Sequence, residues 1–152
     1  MKTLRFLLFA TTIAFFSACS DDKNEEENEQ GNGSTTEPTE IIYIVNTSVG
    51  GETPYAQENV SILIDKKATE IDMKMQKVKF AERMPEMDIT IPGVAMEGTT
   101  LSGNEIIPLA MGGEFPTYTI TNLTGTMTGE SISVEMNCGK YPLSFSGTLK
   151  KE

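Results

Sequence analysis

After residue 40 the chain alternates apolar and polar positions with a period of two. Val60, Ile62 and Ile64 alternate with Ser61 and Asp65; Ile71, Met73 and Met75 with Asp72, Lys74 and Gln76; Met87, Ile89 and Ile91 with Asp88 and Thr90. Ile132, Val134 and Met136 alternate with Ser133 and Glu135, and Leu143 and Phe145 with Ser144 and Ser146. Ile41, Tyr43 and Val45 start the series. A strand sends successive side chains to opposite faces, so this period predicts half-buried β-strands. A helical stripe of useful length is absent between 41 and 152. Turn-forming residues separate the runs: Gly50-Gly51, Pro92-Gly93, Gly112-Gly113 and Cys138-Gly139-Lys140. Leu101-Ser102-Gly103-Asn104-Glu105-Ile106 and Met127-Thr128-Gly129-Glu130-Ser131-Ile132 share one pattern, and each reads as a tight hairpin.

The alternation changes phase twice. Beyond Met75 the apolar positions move to Val78 and Phe80, and beyond Ile120 they move to Leu123 and Met127. A one-residue slip would turn a strand's apolar set to the wrong face, so a β-bulge or bend is expected at both places. Residues 80–85 read as a loop or one short helical turn. The fold class is therefore all-β, with about eight short strands in meander order. A sheet of that size curls, and closure into an antiparallel barrel removes its edges. A β-sandwich is the alternative.

Composition divides the chain before this domain. Residues 1–18 are apolar apart from Lys2 and Arg5 at the start, and the apolar run Phe6–Phe16 is too short to span a bilayer. It ends in Phe16-Ser17-Ala18-Cys19, which resembles a lipobox, with Phe16 where Leu is commoner. Residues 1–18 are expected to be a lipoprotein signal peptide and Cys19 the lipidated first residue of the mature chain; an ordinary secretory signal with a chance Cys is the alternative. Residues 19–40 follow as a polar tether. Residues 20–40 hold eight acids against one Lys, so self-repulsion and the lack of apolar groups favour disorder. Ser20 and the acids behind it resemble the surface-export signal of Bacteroidota lipoproteins. That implies an outer-membrane protein, lipid-anchored and exposed at the cell surface; a plain solvated spacer is the other reading. Residues 41–152 form the folded domain.

Charge narrows the partners. The net −10 of the whole chain lies mostly in the tether, and residues 41–152 hold fourteen acids and nine bases. Phosphate backbones need a basic surface, so nucleic acid is not an expected partner. With no His in the sequence, Ser-His-Asp and Cys-His catalysis are excluded. Glu82, Glu86 and Asp88 lie close together but lack the spacing of a glycosidase pair or a calcium loop, and read as solvated loop charges. Cys138 beside Lys140 reads as a small, partly buried residue rather than a nucleophile. No catalytic residue, metal site or cofactor is expected. The methionines, among them Met73, Met75, Met127 and Met136, are either core filler or the lining of a soft apolar site.

With the strands placed, residues 41–151 resemble the calycin-like β-barrel domain of Bacteroidota lipoproteins. The resemblance rests on Phe80, Met84-Pro85 and Met87-Asp88-Ile89-Thr90-Ile91-Pro92-Gly93-Val94, on Thr121–Gly129, and on Phe145-Ser146-Gly147-Thr148-Leu149. The chain has no Trp and so lacks the Gly-x-Trp signature of lipocalins. The resemblance implies a small barrel of calycin or lipocalin shape and, by analogy of fold, a small apolar ligand such as a lipid. The alternative is a structural or protein-interaction lipoprotein with a filled barrel. The state of the barrel interior separates the two readings.

Overall fold

The computed structural model describes residues 40–151. They form strands β1 (Ile41–Val49), β2 (Tyr55–Lys66), β3 (Glu70–Val78), β4 (Met87–Glu97), β5 (Thr100–Gly103), β6 (Leu109–Ala110), β7 (Gly113–Glu114), β8 (Ile120–Met127), β9 (Ser131–Cys138) and β10 (Tyr141–Leu149), with a 3-10 turn at Pro116–Tyr118. All pairs are antiparallel. Eight strands close on themselves in the order β1-β2-β3-β4-β5-β8-β9-β10, with β10 returning to β1 and β3 joined to β4. The architecture is the meander barrel that the alternation predicts. The short β6–β7 hairpin adds to β4 beside β5 and stands outside the ring.

Alternation becomes burial. On β3, Ile71, Met73 and Met75 point inward while Asp72, Lys74 and Gln76 are half-buried. On β9, Ile132, Val134, Met136 and Cys138 point inward, and on β1 Tyr43, Val45, Thr47 and Val49 do. The inward side chains form one contiguous core, and burying each large aliphatic side chain contributes about 1.5–3 kcal/mol. Sheet curvature brings backbones close at Gly147, where a Cβ would fall on the Ile44 carbonyl, and at Gly125, where one would lie 2.5 Å from the Ser133 carbonyl oxygen.

Both expected phase changes are bulges. Gln76 and Lys77 of β3 face Asp88 alone, between the pairs Met75–Ile89 and Val78–Met87. Asn122 and Leu123 of β8 face Met136 alone, between Thr121–Asn137 and Thr124–Glu135. Two more bulges are present. Glu58 and Asn59 of β2 face Asn46, and Pro92 and Gly93 of β4 face Asp72. Pro92-Gly93 is thus a bulge inside β4 and not a turn. Ile91 and Val94 are both buried, three residues apart, so the one extra residue moves the next inward position from 93 to 94.

The paired hairpin expectation holds at one end only. Thr128–Glu130 joins β8 to β9, and the Thr128 hydroxyl accepts the Glu130 and Ser131 N–H groups. After Gly103, however, the chain leaves the barrel for the β6–β7 excursion. The tight turn next to β5 is Gly98-Thr99, with Gly98 at φ 62°. Ile106 and Ile120 exchange backbone hydrogen bonds of 3.1 and 2.8 Å, which tie the base of the excursion to the start of β8. Residues 81–84 make a single turn, with the Met84 N–H donating to the Ala81 carbonyl.

Candidate functional site

A calycin-like ligand would occupy the barrel interior, so the contents and mouths of the barrel decide what it can hold. At the end where β1 begins, buried Tyr43 reaches across the mouth and its hydroxyl donates to the Thr128 carbonyl at 2.5 Å. Burial raises the Tyr43 pKa, which keeps the phenol a donor. At the other end buried Phe80 comes in from the β3–β4 loop. It stacks on Tyr118 and Tyr141 with ring centroids 5.2 and 5.6 Å away, and Phe115 continues the stack onto Tyr118 at 4.9 Å. The Tyr141 hydroxyl meets the Met84 sulfur at 3.8 Å. Between these plugs the inward positions carry Ile62, Ile64, Met73, Met75, Ile89 and Ile91, each at or near zero exposure. Side chains sit where a ligand would.

Two hollows lie instead on the outer wall of β1, β2, β8, β9 and β10. One of about 360 Å³ is lined by Ser48, Asn122, Thr124, Glu135 and Ser144 among others. Its neighbour of about 420 Å³ shares Ser48, Glu135 and Ser144 and adds Asn46, Ser133 and Ser146. Both are open to solvent, and their walls mix hydroxyls, amides and carboxylates with apolar groups such as Met136, Leu143 and Phe145. A third hollow, of about 400 Å³ and mainly apolar, lies beside Tyr43 and is lined by Ile41, Ile42 and Leu149.

The candidate chemical residues fall apart in space or into structural roles. Cys138 is buried, its thiol donates to the Tyr118 carbonyl at 3.6 Å, and burial pushes its pKa up to about 12. A thiol held protonated is a poor nucleophile. Asp88 is a bulge partner: one carboxylate oxygen accepts the Lys77 N–H at 3.0 Å and the other lies 3.7 Å from the Lys74 ammonium. Glu82 and Glu86 are exposed. Among the described residues no group of three or more His, Cys, Asp or Glu is arranged to hold a metal ion. Cys19, the signal segment and the acidic tether lie outside the described residues.

The excursion between β5 and β8 is the feature the alternation does not reveal. Ile107, Leu109 and Met111 are the exposed large apolar side chains of the described domain. The signal was present as Ile106-Ile107-Pro108-Leu109-Ala110-Met111, an apolar run followed by Gly112-Gly113. Such a run reads equally as a core strand, because only the fold tells which face is covered.

No protein-family model, curated protein or solved structure matches the chain. The functional reading therefore rests on the sequence and on this geometry.

Proposed function

We propose that the chain is a lipid-anchored, surface-exposed outer-membrane lipoprotein of the calycin-like kind, whose non-enzymatic barrel acts through its outer surface as a protein-interaction module. The lipobox-like Phe16-Ser17-Ala18-Cys19 and the acidic run after it support the anchor and the address. One observation carries the choice between a ligand carrier and an interaction module: the interior is packed with side chains between Tyr43 at one mouth and Phe80 at the other. A small-molecule site needs a concave, largely apolar cavity of several hundred Å³. Filling one in this barrel with a lipid would require displacing core side chains.

Native mass spectrometry of the protein purified from its membrane tests this. The expected spectrum holds the chain and its covalent acyl groups with no further lipid, and replacing Cys19 (Cys19→Ser) removes the acyl mass and releases the protein from the membrane. A stoichiometric non-covalent lipid would restore the carrier reading.

A further inference from the structure

The three exposed large apolar side chains are neighbours. Ile107, Leu109 and Met111 are 40%, 42% and 87% exposed, and their spacing by two sets them apart from Ala110, which is buried. Met111 and Gly112 are the two central residues of the turn that joins Ala110 to Gly113, at φ +53° and +86°. Positive φ at both positions is the turn geometry that favours Asn, Asp or Gly at the first of them. Met is a poor choice there for the backbone, and at this exposure it gains almost nothing from packing. Strain held at an exposed apolar tip points to a role outside the fold. The hairpin also keeps an open edge, because β7 has β6 as its one sheet neighbour among the described residues.

Charge indicates what fits on it. From Met84 through Cys138 the sequence contains no Lys or Arg, while Glu105 and Glu114 lie within the excursion itself. Asp88 lines the hollow beneath Leu109 and Met111. On the neighbouring strand β3, Lys74 lies 3.7 Å from Asp88 and Lys77 faces Asp88 across the bulge, so among the described residues the unpaired acids of this side are Glu105 and Glu114. An acidic rim around an apolar knob repels anionic lipid. In a two-fold pairing of two copies through β7 it would set Glu114 beside Glu114. The rim complements a cationic surface.

We propose that the β6–β7 hairpin is the docking surface of this domain for a basic protein partner, with Met111 entering an apolar pocket and Glu114 facing the partner's Lys or Arg side chains. This rests on the interaction-module reading and gives it a location. The test places the photoreactive p-benzoylphenylalanine at position 109 of the full chain in the producing cells, and separately at position 133 on the opposite outer wall. Irradiation should give one discrete protein adduct from position 109, with the cross-linked peptide rich in Lys or Arg. M111N and E114K should each reduce that adduct at least fivefold. Asn is favoured at the turn, so M111N should leave the thermal midpoint no lower, which separates lost docking from lost folding.

No adduct at 109, a lipid adduct, a homodimer, or an adduct indifferent to E114K would each overturn the proposal. An adduct from position 133 instead would overturn this site and leave the interaction module standing. A barrel that carries non-covalent lipid in native mass spectrometry would overturn the module itself.

Discussion

Asp72 is the single residue facing the two-residue bulge Pro92–Gly93, and its Oδ1 accepts the Gly93 N–H at 2.8 Å. The same relationship occurs twice more. Asn46 faces Glu58–Asn59 and its Oδ1 accepts the Asn59 N–H at 3.3 Å, and Asp88 faces Gln76–Lys77 and accepts the Lys77 N–H at 3.0 Å. In each case the second bulge residue has positive φ, and its N–H is met by a side-chain oxygen in place of a ladder carbonyl. A short Asn or Asp side chain supplies the acceptor. At the fourth bulge, Asn104 from the start of the excursion does the same for Asn122 at 3.1 Å. The barrel's bends are thus closed by Asn and Asp side chains of an adjacent strand or loop.

Replacing Asp72 with Ala should therefore destabilise the domain by about 0.5–1.5 kcal/mol, because the Gly93 N–H loses its protein acceptor. Asp72→Asn keeps an oxygen there and should cost clearly less. Urea unfolding at neutral pH compares the two. Equal losses would mean that the acceptor is not what matters.

The same carboxylate gives a pH dependence. Burial favours its neutral form, but the Gly93 N–H and the Lys67 ammonium at 3.0 Å outweigh that and hold its pKa below the ordinary value. A group depressed in the folded state stabilises above the unfolded pKa of about 4, and that contribution is lost as pH falls through the folded value. Stability between pH 5 and 2 should fall less steeply in Asp72→Asn than in the parent. Parallel curves would refute the assignment.

How much of this was legible in the sequence depends on what each residue answers to. The inward strand positions were legible because a two-residue period has one physical cause, and Ile71, Met73 and Met75 obey it. The bulges in β3 and β8 were legible because the apolar phase slips within the bulged strand itself. The bulge opposite β1 was not, because Tyr43, Val45, Thr47 and Val49 keep perfect phase and the extra residue sits in the polar start of β2. Pro92-Gly93 imitates a turn. The second half of the Leu101–Ile106 pattern misled because a Gly flanked by polar residues ends a strand equally well before a tight hairpin or a long excursion. The exposed hairpin was illegible for a related reason: composition cannot say which apolar residues go uncovered.

Gly147→Ala should be among the most damaging single-methyl changes in the protein. The new Cβ would collide with the backbone of Ile44 and Val45 in the neighbouring strand, which cannot yield as a side-chain tip can. Steric conflict with a central strand pair puts the cost at about 3 kcal/mol or more, against about zero for Gly129→Ala, where the Cβ meets nothing within 4 Å. Thermal unfolding of both variants checks the contrast, and similar midpoints would contradict the close approach.

Met111→Asn should stabilise the isolated protein by about 0.5–1 kcal/mol, since it relieves the positive-φ strain at an exposed turn without removing packing. A loss of stability instead would mean that Met111 packs on the domain, and would remove the reason for reading it as a docking knob.

Cys138 should report on both alkaline stability and opening of the aromatic-plugged mouth. Burial raises its thiol pKa to about 12, whereas in the unfolded chain it ionises near 8.5. The folded state therefore favours the protonated thiol. That contribution is complete below the unfolded pKa and is lost as pH rises toward the folded one, with a slope of at most about 1.4 kcal/mol per pH unit. Cys138→Ala removes the titrating group, so its stability should fall less than the parent's between pH 8.5 and 10. The same burial predicts that a maleimide reacts with Cys138 only when the strand end at Tyr118 opens. Labelling of the barrel should thus be slow in buffer, rise with urea in step with unfolding, and quicken in Phe80→Ala, where the ring stacked on Tyr118 and Tyr141 is gone. Rapid labelling of the native parent protein would show the mouth to be open and would return the interior to consideration as a binding site.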